Sequence, residues 1–305
     1  MRLGFAGTPA VAASILSSLS SSDIKFEVVI TKPDTTGRRG NQIIESEVSQ
    51  IANKLGIRLL KPHRLDESFA AQLAALSLDA IIVVAYGKLI PTSLLEIPRS
   101  GWFNLHFSLL PKFRGASPVQ TALLKGEVQT GVSLFKIDSG LDTGPLLSQG
   151  AVEILDEDDA KSLFGKLEVV GTQLIIESLD LLNEPIPHLM PQTEQSASIA
   201  AKLAKEIFRI DWRNTNRDIF NQIRALTADG CAYTLIDGSR VKICQARLLE
   251  EISLLPGKIE RSNGKIIVGT GSGSIELLVV QPEGKQQMSA SSWYNGVRQS
   301  EPEFD

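Results

Sequence analysis

The stretch that decides the fold is Asp79-Ala80-Ile81-Ile82-Val83-Val84-Ala85, in which one aspartate precedes six apolar residues. Four of the six are β-branched, which favours an extended strand over a helix. A strand with one face in water would alternate polar and apolar residues, so an unbroken apolar run predicts a strand buried on both faces. Shorter runs over residues 2–6, 27–31 and 102–106 predict further strands of the same sheet.

Longer amphipathic segments separate these strands, and strands and helices alternate up to about residue 185. This order is typical of a Rossmann-like α/β domain with a mostly parallel sheet. The first predicted helix has Thr8 as its expected N-cap and Pro9 at its first position, where the missing N–H of proline costs nothing. The predicted helices cover residues 9–19, 44–55, 69–75, 118–124 and 160–182.

Proline marks the end of this α/β region, since residues 185, 187 and 191 are prolines and a polar stretch follows them. We therefore predict an α/β domain over residues 1–185, a linker over 186–207 and a smaller domain over 208–305. Besides one helix, the smaller domain contains short apolar runs separated by Asp-Gly, Pro-Gly and Asn-Gly pairs, which predict a β-barrel resembling an oligonucleotide-binding fold. The helix covers residues 216–225, and the strands cover 232–236, 241–248, 258–259, 265–268 and 275–281.

The composition is that of a globular protein, with 305 residues of which 43% are hydrophobic and 22% charged. No apolar stretch approaches the ~20 residues that a membrane helix needs, and the N-terminal run is too short for a signal peptide. A cytoplasmic protein without membrane contact is therefore expected. The net charge of −4 excludes binding to nucleic acid through bulk charge, so any such contact must come from local basic patches.

The cysteines and histidines predict no metal site. Cys231 and Cys244 stand thirteen positions apart without a Cys-x-x-Cys pair, so they indicate neither a zinc site nor a disulfide framework. Both are expected to be buried as small hydrophobic side chains. His63, His106 and His188 are widely separated and lack the spacing of metal ligands.

The chemically informative stretch runs from residue 101 to residue 144. Asn104 and His106 lie at the end of a predicted strand, and strand alternation places them on one face. In an open α/β sheet the carboxyl end of a strand is where ligands bind. A loop rich in glycine, proline and cations follows over residues 108–118, and a second, glycine-bracketed loop carries Asp142. An amide, an imidazole and a carboxylate are therefore expected to converge on one substrate.

Two other interpretations of these residues were weighed. Ser108, His106 and Asp142 have the residue types of a hydrolase triad, but Ser108 and His106 are two positions apart and no Gly-x-Ser-x-Gly elbow occurs. The opening strand and glycine turn suggest a dinucleotide site, yet residues 4–9 lack the Gly-x-Gly-x-x-Gly spacing. Both interpretations are disfavoured.

Six motifs, in order along nearly the whole chain, resemble those of the folate-dependent formyltransferases. The resemblance implies that Asn104, His106 and Asp142 form the catalytic trio and that 10-formyltetrahydrofolate is the co-substrate. It also implies a folate site formed by Tyr86, Gly87, Ile90, Ser108, Leu109, Leu110 and Pro111. The motifs are Phe5-Ala6-Gly7-Thr8-Pro9, Tyr86-Gly87-Lys88-Leu89-Ile90-Pro91, Ser108-Leu109-Leu110-Pro111, Arg114-Gly115-Ala116, Ile210-Asp211-Trp212 and residues 281–288.

The resemblance extends into the C-terminal segment, as in members of that family that formylate the amino group of methionyl initiator tRNA at translation initiation. It implies a monomeric enzyme whose basic loop over residues 31–41 contacts the acceptor end of the tRNA through Lys32, Arg38 and Arg39. Three alternatives stay open: formyl transfer to the amine of a sugar nucleotide, hydrolysis of the formyl-folate, and a catalytically idle RNA-binding protein.

Such a transfer needs a neutral amine as nucleophile and a stabilised tetrahedral oxyanion. Asn104 and His106 are expected to donate hydrogen bonds to the formyl oxygen, an effect worth ~3–4 kcal/mol per donor. Asp142 is expected to orient or protonate His106 and to move protons between the amine and the departing folate nitrogen. Sequence leaves open whether His106 or Asp142 is the base.

Overall fold

The computed structural model describes residues 1–36, 43–184, 187–249, 254–297 and 301–305. These residues pack as two compact units. The first contains residues 1–115, 129–153 and 164–200, and the second contains residues 116–128, 154–163 and 201–305. The boundaries at 185 and 208 stay a prediction. Of the stretch expected to be a linker, residues 187–200 belong to the first unit and residues 201–207 to the second.

A seven-stranded sheet forms the centre of the first unit. The strands of this unit are β1 (Leu3–Gly7), β2 (Phe26–Ile30), β3 (Thr35–Thr36), β4 (Ile43–Ile44), β5 (Leu59–Leu60), β6 (Ala80–Val84), β7 (Gly101–His106), β8 (Arg114–Gly115), β9 (Gln129–Lys136), β10 (Leu146–Glu153) and β11 (Ile199–Ala200). The sheet order is β10-β9-β7-β6-β1-β2-β5, while β3 pairs with β4 and β8 with β11.

Five neighbouring strands of this sheet, from β7 to β5, are parallel, while β9 pairs antiparallel with β7 on one side and with β10 on the other. The predicted Rossmann-like, mostly parallel sheet is therefore confirmed. Every residue of β6 is buried, as its unbroken apolar run predicted. Neither β9 nor β10 was predicted, because polar residues are interleaved with apolar ones in both strands.

The helices are α1 (Ala10–Ser21), α2 (Glu47–Lys54), α3 (Glu67–Ala74), α4 (Thr92–Leu95), α5 (Pro118–Leu124), α6 (Ala160–Asn183), α7 (Asn216–Ala225) and α8 (Ala290–Tyr294). Pro9, not Thr8, stands at the N-cap of α1, because the Thr8 hydroxyl donates instead to the Tyr86 carbonyl at 2.9 Å. The α2 helix begins three residues later than predicted, after Ser46, whose side chain caps it. Within the described ranges, no helix combines the length and the apolar character required to span a membrane.

The second unit is built on an antiparallel sheet, which confirms the predicted hairpins. Its strands are β12 (Ala232–Ile236), β13 (Ser239–Leu249), β14 (Ile259–Ser262), β15 (Lys265–Gly269), β16 (Ser274–Pro282) and β17 (Met288–Ser289), in the order β12-β13-β16-β15-β14 with β17 beside β16. The α7 helix has the predicted bounds because Thr215 accepts a hydrogen bond from the Asp218 N–H and caps its first turn.

The C-terminal residues bind to both outer strands of this sheet. The Asp305 N–H donates to the Leu235 carbonyl of β12 at 3.0 Å, and the Ile259 N–H of β14 donates to the Pro302 carbonyl at 2.9 Å. Phe304 stacks on Trp212 with ring centroids 5.2 Å apart. Among the described residues no ladder joins β12 to β14 directly, so the C-terminal segment lies where a closed barrel would pair them.

Candidate active site

The structure brings Asn104, His106 and Asp142 to the carboxyl end of β7, at the centre of the first unit. Asn104 is half-buried, and its side chain makes no hydrogen bond to any described residue. His106 is buried, and its Nδ1 lies 3.7 Å from Asp142 Oδ2. The predicted convergence of His106 and Asp142 is therefore present, and Asn104 shares their strand edge.

Hydrogen bonding fixes the tautomer of His106. Its Nε2 lies 2.8 Å from the Phe113 carbonyl oxygen, which only accepts, so Nε2 carries a hydrogen and donates. Burial lowers the pKa of His106, although Asp142 and the Phe113 carbonyl both favour the charged form. The neutral imidazole therefore keeps its lone pair on Nδ1, facing the Asp142 carboxylate. The 3.7 Å between His106 Nδ1 and Asp142 Oδ2 is too long for a hydrogen bond, and both atoms are acceptors.

The Phe113 carbonyl is positioned by an irregular loop that follows β7. Ser108 Oγ donates to the Lys112 carbonyl at 2.6 Å and closes the loop on itself. Phe113 has a φ of 61°, in the left-handed region that non-glycine residues seldom adopt. Its N–H donates to Ser198 Oγ at 2.9 Å, so the strained residue is tied to the segment before β11. Because the Ser108 hydroxyl donates to the Lys112 carbonyl, it is not directed at His106.

Ser133 of β9 and Gln149 of β10 hydrogen-bond to the backbone of the same loop. Ser133, opposite His106 in the β7–β9 register, donates from Oγ to the Ser108 carbonyl at 2.6 Å. It accepts from the Leu110 N–H at 2.9 Å and from Gln149 Nε2 at 2.8 Å. Every hydrogen-bonding position of the fully buried Ser133 hydroxyl is thereby used. Ser133 and Gln149 were not predicted as site residues, because their contacts with the loop follow from the sheet register and not from a local sequence pattern.

Asp142 is held by its side chain and by its backbone. Its Oδ2 accepts from the Gly115 N–H at 2.8 Å, and its backbone carbonyl accepts from Gln192 Nε2 at 2.8 Å. The Oε1 of Gln192 in turn accepts from Nη2 of the buried Arg114 at 2.9 Å. Gly115 has a φ of 117°, and a Cβ there would lie 2.6 Å from the Ala200 carbonyl, so only glycine fits. Gln192 was read as part of a polar linker, and no local signal marked its role.

The residues predicted to bind folate lie in two segments on one edge of the sheet. Tyr86, Gly87 and Ile90 follow β6, whereas residues 108–111 follow the neighbouring parallel strand β7. Parallel neighbours bring their carboxyl ends to the same edge. Tyr86 is buried, its hydroxyl has no hydrogen-bond partner among the described residues, and burial raises its pKa to about 12. The phenol is therefore neutral at physiological pH.

Only one of the three residues predicted to contact tRNA is described. Arg38 and Arg39 lie outside the described residues, and Lys32 follows β2 at the same sheet edge. The Lys32 ammonium lies beside Gly87, where a Cβ would be 2.5 Å from Nζ. Burial and the charge of Lys32 lower the pKa of the neighbouring Lys88. In the described parts of the chain, no three His, Cys, Asp or Glu side chains group as metal ligands do.

Two protein-family models match this chain, one in its N-terminal part and one in its C-terminal part. The family model described as Formyl transferase matches residues 1–179, and that described as Formyl transferase, C-terminal domain, matches residues 202–298. The methionyl-tRNA formyltransferase of Thermodesulfovibrio yellowstonii is 42% identical over 298 residues, covering 97% of this chain and 96% of the relative. That of Streptomyces griseus is 39% identical over 302 residues, covering 98% and 97%.

Solved structures share the fold. The N-formyltransferase from Helicobacter canadensis, in complex with folinic acid and dTDP-3-aminofucose, superposes with a TM-score of 0.70 at 22% identity, covering 92% of this chain and 99% of that chain. HypX from Aquifex aeolicus superposes with a TM-score of 0.69 at 17% identity, covering 98% of this chain and 48% of HypX. The family predicted from the sequence motifs is confirmed. This chain belongs to the formyl transferase family.

Proposed function

We propose that this protein transfers the formyl group of 10-formyltetrahydrofolate to the amino group of methionyl initiator tRNA. The observation that carries the proposal is the His106–Asp142 pair, with a neutral imidazole held beside a carboxylate at the ligand-binding edge of the sheet. Similarity over nearly the whole chain, at 42% and 39% identity, to methionyl-tRNA formyltransferases supports the choice of acceptor. We further propose that the protein acts as a cytoplasmic monomer.

The geometry around His106 supports a role in proton transfer. Nε2 already donates to the Phe113 carbonyl, so only Nδ1 is left to interact with substrate. An amine N–H placed between Nδ1 and Asp142 Oδ2 would have an acceptor on either side. As the amine attacks the formyl carbon, its proton moves to this pair, and the same pair returns a proton to the departing folate nitrogen. His106 donates to the formyl oxygen only after Nδ1 has been protonated.

Asn104 is the neutral donor of the site. Its side-chain amide makes no hydrogen bond to a described residue and lies on the same face of β7 as His106. An amide N–H aimed at the formyl oxygen strengthens its bond as negative charge develops, which lowers the barrier by ~3–4 kcal/mol. Because Asn104 does not titrate, this contribution is present at every pH.

The folate is proposed to lie along the loops after β6 and β7. Gly87 is exposed with a φ of 69°, and the Lys32 ammonium lies beside it. Leu109 and Pro111 are half-buried on the β7 loop, and Ile90 packs in the apolar cluster below Tyr86. This combination suits a flat heterocycle, with apolar walls and backbone hydrogen-bonding groups.

The acceptor end of the tRNA is proposed to contact the basic residues after β2. Lys32 is near enough to lower the pKa of Lys88 through its charge, and neither forms an ion pair with a described carboxylate, although the Lys88 ammonium donates to the Pro62 and His63 carbonyls at 2.6 and 3.1 Å. Two adjacent cations favour binding of a phosphate between them. Arg38 and Arg39 are proposed to extend this contact.

In the second unit, one outward row of side chains fits a nucleic-acid backbone. Arg209 pairs with Tyr233, Tyr233 with Lys242, and Lys242 with Gln281 across neighbouring strands, so all four lie on one face. The Arg240 guanidinium stacks over the Tyr233 ring at 4.2 Å from its centroid. An aromatic ring among cations is typical of surfaces that bind RNA. We call Arg209, Tyr233, Arg240 and Lys242 the basic face.

Four other arginines of this unit already bind a backbone carbonyl or a carboxylate. Arg224 is buried and donates to the Leu155 carbonyl at 3.0 Å. Arg213, Arg217 and Arg247 form ion pairs at 2.7, 2.8 and 3.3 Å with Asp211, Asp156 and Glu276. In the described part of the unit, Arg240 and Lys242 have no such carboxylate partner. This contrast supports the basic face as the contact with tRNA.

A comparison of acceptors tests the proposed function. Purified protein is incubated with 10-formyltetrahydrofolate labelled in the formyl group and with methionyl-tRNA, an amino-sugar nucleotide or buffer alone. We expect label on methionyl-tRNA at a rate far above formate release. Label on the sugar nucleotide instead would identify a sugar formyltransferase, release of formate alone would identify a hydrolase, and tRNA binding without transfer would identify an idle RNA-binding protein. Each of these results contradicts the proposal.

A further inference from the structure

Two cysteines that are thirteen positions apart in sequence are neighbours in the second unit. β12 and β13 are antiparallel with Ala232 opposite Ile243, so the next position places Cys231 beside Cys244. The two thiols are free and hydrogen-bond to each other. The sequence predicted two buried cysteines. Cys231 is buried, but Cys244 is half-buried, so that prediction was wrong for Cys244.

Both cysteines stand at irregular points of the backbone. Cys231 has a φ of 69°, in the left-handed region, directly after Gly230. Cys244 occupies a bulge in β13, because Ile243 and Gln245 on either side of it pair with consecutive residues of β16. A non-glycine residue stays in left-handed geometry only where its surroundings fix it, and bulges redirect side chains near functional sites. The fold therefore maintains this thiol contact at a cost in backbone conformation.

The hydrogen bond between the two thiols, supported by nearby cations, activates one of them. Cys231 has a pKa lowered to about 7, first by the hydrogen bond with Cys244 and then by the cations Lys161 and Lys242, against burial and the charge of Asp159. The same hydrogen bond and burial raise the pKa of Cys244. Near neutral pH, a substantial fraction of Cys231 is therefore thiolate next to a protonated thiol, which is the arrangement of an attacking and a resolving cysteine.

Solvent reaches the pair through the cleft that Cys244 lines. This cleft, of about 390 Å³, is also lined by Arg224, Thr227 and the run Asp156–Asp159. Gln287 Nε2 donates to Cys244 Sγ at 3.4 Å on the exposed side. Cys231 is buried and does not line the cleft, so a small reagent such as hydrogen peroxide is expected to reach the pair more readily than a bulky disulfide.

We propose that Cys231 and Cys244 form a reversible oxidation site at which a peroxide converts the thiol pair into a disulfide. The Cys231 thiolate attacks one peroxide oxygen, the O–O bond breaks and the released hydroxide becomes water, leaving a sulfenic acid on Cys231. The Cys244 sulfur then attacks the Cys231 sulfur, loses its proton and displaces a second water. Two thiols and one peroxide give one disulfide and two waters, and a dithiol reverses the reaction.

The position of the disulfide gives it a structural consequence. It would join the turn Thr227–Asp229, through Gly230 and Cys231, to β13. Lys242 of the same strand lies two residues from Cys244. Disulfides in reducing compartments are mostly transient and redox-sensing. The site is independent of the proposed function, because thiol oxidation is measured without tRNA or folate.

Mass spectrometry of the full-length protein tests the proposal. Wild-type protein is treated with hydrogen peroxide, free thiols are blocked, and peptides are mapped before and after dithiothreitol. We expect a Cys231–Cys244 peptide that disappears on reduction and forms with a pH midpoint near 7. Thiols that both stay free, disulfides only between chains, or oxidation confined to Cys244 would each overturn the proposal.

Variants separate the roles of the two thiols. Cys244→Ser is expected to trap sulfenic acid on Cys231, which dimedone labels, whereas Cys231→Ser should leave Cys244 at least ~10-fold less reactive, since nucleophilic attack needs the thiolate. Lys161→Gln is expected to slow oxidation at pH 7, and Lys265→Gln, which removes a cation next to Glu276, serves as the matched control. Equal dimedone labelling of both cysteine variants would contradict the assignment. Circular dichroism verifies that each variant folds. The peptide mapping of the wild-type protein tests disulfide formation independently of the variants.

Discussion

The polar side chains proposed to act in the two units differ in their burial. In the first, Ser133, His106 and Arg114 are buried, and each is held by hydrogen bonds to the loops around Asp142. In the second, the interior is an apolar cluster around Trp212 and Ile243, and the basic face points outward. A buried polar network fails when one member is removed, because its partners lose their hydrogen bonds. An exposed cationic surface loses affinity gradually, one contact at a time.

The largest effect is expected from the buried pair. His106→Ala or Asp142→Asn should lower kcat by ~100-fold or more, since each removes a member of the proton-transfer pair. Steady-state formylation of methionyl-tRNA measures the loss, and thermal unfolding verifies that the variants fold. Asp180→Asn, an exposed carboxylate of α6, serves as the control and should behave as wild type. Near wild-type turnover in either variant would remove these residues from the chemistry.

A smaller effect is expected from the basic face. Tyr233→Ala combined with Arg240→Ala should raise KM for methionyl-tRNA by ~10-fold, because the pair supplies a stacking platform and a phosphate contact. The slope of log KM against log salt should become shallower as well. Arg247→Gln is the matched control, since its guanidinium is paired with Glu276. If the double variant and the control behave alike, the tRNA does not bind this face.

The loop after β2 gives the next prediction. Arg38→Ala with Arg39→Ala should weaken methionyl-tRNA binding by a few-fold to ~10-fold and flatten its salt dependence, since two phosphate contacts are lost. Folate binding should be nearly unchanged, and fluorescence titration of the folate provides that comparison. An unchanged KM for tRNA would mean that the loop is only solvated.

The smallest effect is a shift in a titration. The chain has three histidines, so NMR can resolve the His106 ring among them. Its pKa should lie below 6.5, because burial opposes the charged form, and Asp142→Asn should lower the pKa further by removing a charge that favours it. His106 is neutral at pH 7 and becomes protonated only as the pH falls below this pKa, so kcat/KM should decline on that acid side. A midpoint above 6.5 would contradict the expected effect of burial on this pKa.

Much of the fold was predictable because hydrophobic patterning and turn residues act locally. The unbroken apolar run of β6 predicted a buried central strand, and the Gly-containing pairs after residue 230 predicted the hairpins. The family was predictable from ordered motifs. The roles of the site residues stay predictions, although the structure brings His106 and Asp142 together.

What the sequence did not reveal depends on contacts between distant segments. Gln192 contacts Asp142 across 50 positions, and Ser133 contacts Leu110 across 23. No periodicity encodes such pairs, because each depends on where a loop crosses the end of the sheet. The contact of Cys231 with Cys244 likewise follows from strand register and a bulge, neither of which their spacing displays.

We infer that the buried pair performs the chemistry and that the basic face holds the tRNA. Parallel measurements of kcat and KM for methionyl-tRNA on Asp142→Asn and on the Tyr233/Arg240 double alanine variant separate these two roles. We expect Asp142→Asn to lower kcat with little change in KM, and the double variant to raise KM with little change in kcat. If both variants change the same parameter, the assignment of chemistry to the first unit and of tRNA binding to the second is contradicted.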